Sequence, residues 1–227
     1  MFVTNETSRQ ASAITVLSDV LALISREWQV ILALLLRALP YLLIEHNRGM
    51  YEILDYETTL NLVDPKGRKA IFQKRQKVRF LQNNILAFQD YAWGDGSIFT
   101  SYTCTPGQVV DRYQEGDRWN ILISLRLTKS KGDIEDFHIE RVATDGFTSD
   151  EEWLQTEIRH PTRRLRLFVF FPRKRHCTSA FIQTRSNNRT LLLDSSNFTK
   201  LPDGRQLLTW ETANVSGLEV LTLRWRW

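Results

Sequence analysis

Four histidines, two cysteines and two acid-free runs of basic residues are the groups in this 227-residue chain that could carry chemistry. His46, His138, His160 and His176 include no pair at the helical or hairpin spacing that an imidazole metal site uses. His138 shares a strand face with Asp136 and Glu140 and is expected opposite Arg126, which reads as a surface charge ladder. His176-Cys177 has the residue types of a base and a nucleophile, yet neighbours on a strand point to opposite faces and cannot pair. Cys104 and Cys177 match no metal-ligand spacing and read as free thiols of a reducing compartment. Gly-x-Ser-x-Gly, His-Glu-x-x-His, Walker and dinucleotide fingerprints do not occur. Trp93-Gly94-Asp95-Gly96 is followed by neither Lys-Ser/Thr nor a helical pattern, so it reads as a hairpin turn. No catalytic residue, metal site or cofactor is expected.

The basic runs are the stronger signal. Lys66 to Arg79 holds seven Lys or Arg and no acid, and Ile158 to Leu193 holds nine and no acid, within a net charge of +4. If the two segments converge, Lys74, Arg75, Lys77, Arg79, Arg164, Arg166, Arg173, Lys174 and Arg175 are the candidates for an anion-binding surface. Arg164 and Arg166 alternate with Leu165 and Leu167 and share a face with Phe168 and Phe170. Arginine beside aromatic rings can hold phosphate, stack on bases or meet a lipid interface. The competing reading is that these charges form a solvated strand face and that Phe168 and Phe170 are covered.

The elements that must position these residues fall into two parts. Residues 1–46 contain a stretch, Ala11 to Ile44, whose polar and small positions Thr15, Asp19, Ala22, Arg26, Gln29, Ala33 and Arg37 recur at spacings of three and four. That spacing predicts a helical arm with one narrow polar stripe, apolar around the rest of its circumference, bent near Ser25-Arg26-Glu27 and kinked or ended at Pro40. Leu21, Trp28, Leu32, Leu35, Arg37, Leu39 and Leu42 are its candidate interface residues. Ten Val, Leu or Ile residues between Val30 and Ile44 face Arg37, Gln29 and Pro40. At about −0.3 to −0.6 kcal/mol each against about +3 for arginine, bilayer insertion is near balance.

From Met50 the period changes to two. Leu54, Tyr56, Thr58, Leu60 and Leu62 alternate with Ile53, Asp55, Glu57, Thr59 and Asn61, and Asp64-Pro65-Lys66-Gly67 turns the chain back into a strand from about Lys69 to Leu81. Further strands are expected at Ile85–Tyr91, Ile98–Thr103, Trp119–Leu127, Ile134–Val142, Glu152–Arg159, Arg164–Phe171, Ser179–Arg185, Arg189–Leu193, Gln206–Thr212 and Leu218–Trp227. On Trp119–Leu127 one face carries Trp119, Ile121, Ile123, Leu125 and Leu127. On the last strand Leu221, Leu223, Trp225 and Trp227 share a face, so the chain is expected to end inside its core sheet, as a complete chain would. The fold class is mainly β: residues 47–227 are an antiparallel β-sandwich or flattened barrel preceded by the hydrophobic arm.

Such a chain reads as a non-catalytic binding module. Its arm would mediate self-association or membrane attachment, and its basic surface would take an anionic ligand or partner. Partners expected are protein, self or other, through the helix, a membrane surface, and nucleic acid or a nucleotide. The start, MFVTNETSRQ, lacks the basic and apolar regions of a signal peptide, so a cytoplasmic chain, or one membrane-associated from the cytoplasmic side, is expected. In organisation alone, an apolar N-terminal segment before a β body is similar to the membrane-anchored effectors of bacterial antiphage signalling. That alternative makes the arm insert when the body is engaged. An enzyme without a recognisable motif is the third reading.

Overall fold

Alternating burial from Tyr51 onward resolves into fourteen strands in the computed structural model, which describes residues 49–227 except residue 95. They are β1 (Tyr51–Leu62), β2 (Lys69–Phe80), β3 (Ile85–Ala92), β4 (Ser97–Thr105), β5 (Gln108–Glu115), β6 (Arg118–Lys129), β7 (Ile134–Thr144), β8 (Glu151–Ile158), β9 (Thr162–Phe171), β10 (Ser179–Thr184), β11 (Arg189–Leu193), β12 (Phe198–Lys200), β13 (Gln206–Val215) and β14 (Glu219–Arg226). The seven-stranded sheet runs β12-β13-β9-β1-β2-β7-β4, a four-stranded sheet runs β11-β10-β14-β8, and a three-stranded sheet runs β3-β6-β5. Every pairing is antiparallel except β1 with β9. The sheets do not close, so the body is mainly β and consistent with a sandwich rather than a barrel. The helical arm and its candidates Leu21, Trp28, Leu32, Leu35, Arg37, Leu39 and Leu42 lie outside the described residues.

One apolar core joins the three sheets. Phe88 of β3 stacks on Phe137 of β7 at 4.1 Å, and Trp225 of β14 meets Phe171 of β9 edge-on at 5.9 Å. Leu221, Leu223, Trp225 and Trp227 are all buried. The β1–β2 hairpin forms as its turn residues dictate. The Asp64 carboxylate accepts from the Lys66 and Lys69 amides at 2.8 and 2.9 Å, and Gly67 takes a left-handed φ of 67°. A Cβ there would lie 1.5 Å from the Phe147 carbonyl oxygen, so glycine is required.

Several local expectations are corrected. Trp93 to Gly96 does not close a hairpin, because β3 pairs with β6 while β4 pairs with β7 in another sheet. Likewise β6 and β7 belong to different sheets, so His138 lies opposite Arg75 of β2 and Thr105 of β4, not Arg126. A bulge between Ile53 and Asp55 puts Tyr51 and Ile53 on the buried face with Tyr56, which breaks the uniform alternation read along β1. At Arg126 the backbone turns left-handed, with φ 61°, and Leu127 leaves the face of Leu125 for solvent. Strands β5 and β12 had no alternation to announce them.

Candidate functional site

The first acid-free segment becomes β2 and the second β9, β10 and β11, and the sheet order sets β2 and β9 on either side of β1. They converge, but β1 carries its own acids between them. Across the register Glu57 stands opposite both Arg75 and Arg166, and Asp55 and Asp136 both stand opposite Lys77. Arg166 Nη2 reaches Asp55 at 2.9 Å and Glu57 at 3.0 Å, and Arg164 reaches Asp55 at 3.0 Å. Arg75 pairs with Asp136 at 2.6 Å, while Arg79 and Arg163 share Glu52 at 2.8 and 3.1 Å. Burial by itself would raise the Asp55 carboxyl, yet hydrogen bonds and charge from Arg164 and Arg166 hold it below the usual carboxylate range. The outer face is therefore a ladder of alternating sign. Of the candidates there, Lys77 alone makes no ion pair among the described residues.

Past the end of β9, Arg173 and Lys174 are exposed. Arg175 is tied to Asp150 and the Ser149 carbonyl, both at 2.9 Å, and lies over the Trp227 ring at 4.1 Å. These three residues stand at the far end of the strands from Arg163 and Arg164, beside the β1–β2 turn, where Arg175 also bonds the Pro65 carbonyl oxygen. Phe168 and Phe170 are half-buried.

Lys74 has a different fate from the other candidates. It occupies the same phase of β2 as Phe72, Val78 and Phe80, so it points inward and is 7% exposed. Its ammonium meets Asp90 Oδ1 at 2.5 Å and the Tyr91 carbonyl at 3.3 Å, and Asp90 Oδ2 accepts from the Tyr102 hydroxyl at 2.8 Å. Burial would lower the Lys74 pKa, but the Asp90 carboxylate and Tyr56 outweigh it and hold the lysine above its usual value. Tyr102 is pushed up strongly by burial and by Asp90, so it stays a hydrogen-bond donor.

A second inward cation, Arg141 of β7, completes this cluster. Its guanidinium lies 4.3 Å over the Phe72 ring, and Nη1 donates to the Ile98 carbonyl at 3.5 Å. Among the described residues it forms no ion pair. Burial lowers its pKa, and Asp90, Tyr102 and Tyr56 only partly oppose that. Arg141 lines a cavity of about 50 Å³ between the sheets, with Lys74, Trp93, Glu152 and Trp153 among its walls. Glu152 accepts there from the Ser149 amide at 2.6 Å. A smaller cavity of about 30 Å³, lined by Asp90 and His160, shares Tyr56, Lys74, Tyr91 and Trp93 with the first. The Lys74–Asp90 bridge thus stands where the two spaces meet. Arg141 and Asp90 were not among the residues singled out from sequence. The available signal was phase: Arg141 falls in register with Phe137, Ile139 and Ala143, and Asp90 with Phe88 and Ala92, all buried.

The remaining candidate groups are occupied. His176 bonds the Gly204 carbonyl oxygen at 3.0 Å, and burial pushes the thiols of Cys104 and Cys177 up to about 12, which keeps both protonated. His160 packs on the Tyr51 ring at 4.0 Å, and His138 is exposed near Asp136. Among the described residues no three His, Cys, Asp or Glu side chains gather as a metal site would need, and no helix is long and apolar enough to cross a membrane.

Neither a family model nor a curated protein matches the sequence. Among solved structures the chain is similar to a mutant M1 zinc metallopeptidase from Deinococcus radiodurans bound to a Tyr-Ser-Ala substrate, at 12% identity and a TM-score of 0.47, over 77% of this chain and 42% of that one. The M1 zinc metallopeptidase of the same organism gives 12% identity and a TM-score of 0.45, over 76% and 42%. A protein from Parabacteroides distasonis gives 8% identity and a TM-score of 0.46, over 78% and 40%. The chain spans about two fifths of the length of these structures.

Proposed function

We propose that the β body is a non-catalytic binding module whose anion site is the cavity at Arg141, and that residues 1–46 are a hydrophobic helical arm for self-association or membrane attachment. The observation that carries the anion site is the inward guanidinium of Arg141, which makes no ion pair among the described residues and rests on the Phe72 ring face with one long hydrogen bond, Asp90 attracting it only from beyond contact. Arg141 is half-buried, and withdrawing a charge from water is costly unless it is paired, a cost that a cation–π contact offsets only in part. An arriving anion supplies the missing term.

Size limits what can enter. A water needs roughly 10–15 Å³ of such volume, so a cavity of about 50 Å³ takes a carboxylate or phosphate group and not a whole drug-sized ligand. The rest of a larger ligand would lie outside, against Trp93 and Trp153. The outer ladder is poorly suited to the same task, since its arginines already hold carboxylates.

Titration calorimetry on the full chain with inorganic phosphate and with acetate tests the site. The expected result is binding that falls at least tenfold in Arg141→Gln and is unchanged in Arg75→Gln. Equal binding by parent and Arg141→Gln, or no binding of either probe by the parent, overturns the assignment.

A further inference from the structure

Five strand ends and two four-residue loops meet at one end of the body. The end of β2 and the starts of β1 and β7 adjoin through the pairs Tyr51 with Phe80 and Arg79 with Ile134. Residues 81–84 lead from there into β3, residues 130–133 lead from β6 back into β7, and Ile85 pairs with Lys129. The two loops are locked together. Phe80 N donates to Asp133 O and Gly132 N to Phe80 O, both at 2.9 Å, and Lys131 N donates to Asn83 Oδ1 at 2.9 Å.

This end exposes apolar side chains that a period-two strand could have hidden. Leu127 is 72% exposed, Leu86 65%, Ile134 48% and Met50 43%. Leu127 faces water only because Arg126 adopts the left-handed φ of 61°, which non-glycine residues disfavour. Around these residues the charge is positive. Arg126 and Lys131 are exposed and form no ion pair among the described residues. Lys129 holds Glu135 at 2.5 Å, Asp133 is engaged by the Ser130 amide at 2.8 Å, and Glu52 is shared by Arg79 and Arg163. Five cations therefore stand with three carboxylates, each of which already has a partner.

We infer that this end of the β body docks on an anionic lipid surface, with Leu86, Leu127, Ile134 and Met50 entering the headgroup boundary and Arg126 and Lys131 meeting lipid phosphates. Apolar tips ringed by flexible cations suit that interface. Four side chains on strand ends are far short of the roughly 800 Å² per partner that a stable protein interface buries. The chain also enters the body here, at Gly49 beside Met50, so the apolar N-terminal stretch is covalently continuous with this end. The inference rests on the membrane-attachment reading of residues 1–46.

The test uses the full-length protein with vesicles of phosphatidylcholine alone and of phosphatidylcholine with phosphatidylserine. Binding to the anionic vesicles is expected to protect amides of residues 81–86 and 126–134 from hydrogen exchange. Leu86→Asn with Leu127→Asn should weaken partition at least tenfold, while Leu192→Asn, on an exposed leucine of β11, should not. Arg126→Gln with Lys131→Gln should remove most of the preference for phosphatidylserine. Vesicle binding that leaves 81–86 and 126–134 unprotected overturns this docking end and leaves attachment by the arm standing. No vesicle binding at all overturns both. A rise in mass that buries the leucines against a second copy, seen by light scattering, also overturns it.

Discussion

Lys74 and Arg75 are neighbours in the chain and end on opposite faces of β2, each bound to a carboxylate at nearly the same distance, 2.5 Å to Asp90 and 2.6 Å to Asp136. Their surroundings differ. The Lys74 and Asp90 side chains are 8% and 4% exposed, whereas those of Arg75 and Asp136 are 46% and 33%. Coulomb attraction at a few ångströms is several times larger in the interior than beside water, but so is the cost of losing a partner. The outer ladder tolerates rearrangement because water replaces any lost contact. The inner cluster has little water to do so, and Arg141 lies beside it, over the Phe72 ring. Equal geometry is therefore no guide to equal consequence.

The largest test of this contrast is Asp90→Ala. It leaves the buried Lys74 ammonium with the Tyr91 carbonyl but no counter-charge, and the half-buried Tyr102 hydroxyl without its acceptor, and removing one partner of a buried pair costs about 3–5 kcal/mol. Urea unfolding should show that loss. Lys74→Met combined with Asp90→Leu should recover part of it, because Lys74 is then no orphaned charge, although the Tyr102 hydroxyl and Arg141 still lose Asp90. A cost for Asp90→Ala below about 1 kcal/mol, the range of a surface pair, would mean that water reaches the cluster and would erase the difference between the two faces.

His160 sharpens the comparison through pH. Burial, aided by Arg159, lowers its pKa to about 4 from 6.5. The unfolded chain then takes up the proton first, so stability is full above pH 6.5 and falls as pH drops toward 4, by at most about 3 kcal/mol. Outer carboxylates held below their usual range, such as Asp55 and Asp136, give up their contribution only at lower pH. Their pKa values are depressed in the folded state, so that stability is lost as pH falls further. Two separate acid limbs are expected in a pH series of melts. Replacing His160 with Gln should flatten the upper one and leave the lower; an unchanged upper limb would place His160 in contact with water.

Strand positions were legible because alternation reports burial directly. Sheet membership was not. The four-residue links 81–84 and 130–133 carry the turn residues of hairpins, yet each crosses between sheets, and an apolar inner face looks alike whichever sheet owns it. The anion-binding candidates on β2 and β9 are interleaved with carboxylates for a related reason. Charge counted along β2 or β9 cannot register Glu52, Asp55 and Glu57, which arrive from the strand between them. Arg141, Lys74 and Asp90 were visible in principle as charges in a buried phase, but a charge in that phase stands out only once the phase itself is fixed. The β1 bulge and the left-handed Arg126 shift such phases without a glycine or proline to mark them.

The smallest expected effect concerns the ladder itself. Arg75→Gln should cost less than about 1 kcal/mol in urea unfolding, the ordinary worth of an exposed ion pair, and half-molar salt should shrink even that, since screening then acts within a few ångströms. Arg166→Gln should cost more than Arg75→Gln, because its 22% exposed side chain bridges both Asp55 and Glu57 and its removal sets two carboxylates side by side without a cation between them. The ordering, Arg166 above Arg75 with the gap narrowing as salt rises, follows from burial and from the number of carboxylates held, and double-mutant cycles with Asp55→Asn and Asp136→Asn can read it. If Arg75→Gln cost as much as Asp90→Ala, the outer face would be no solvated ladder but a surface excluded from water, and its arginines would have to be held by something other than the carboxylates of β1 and β7.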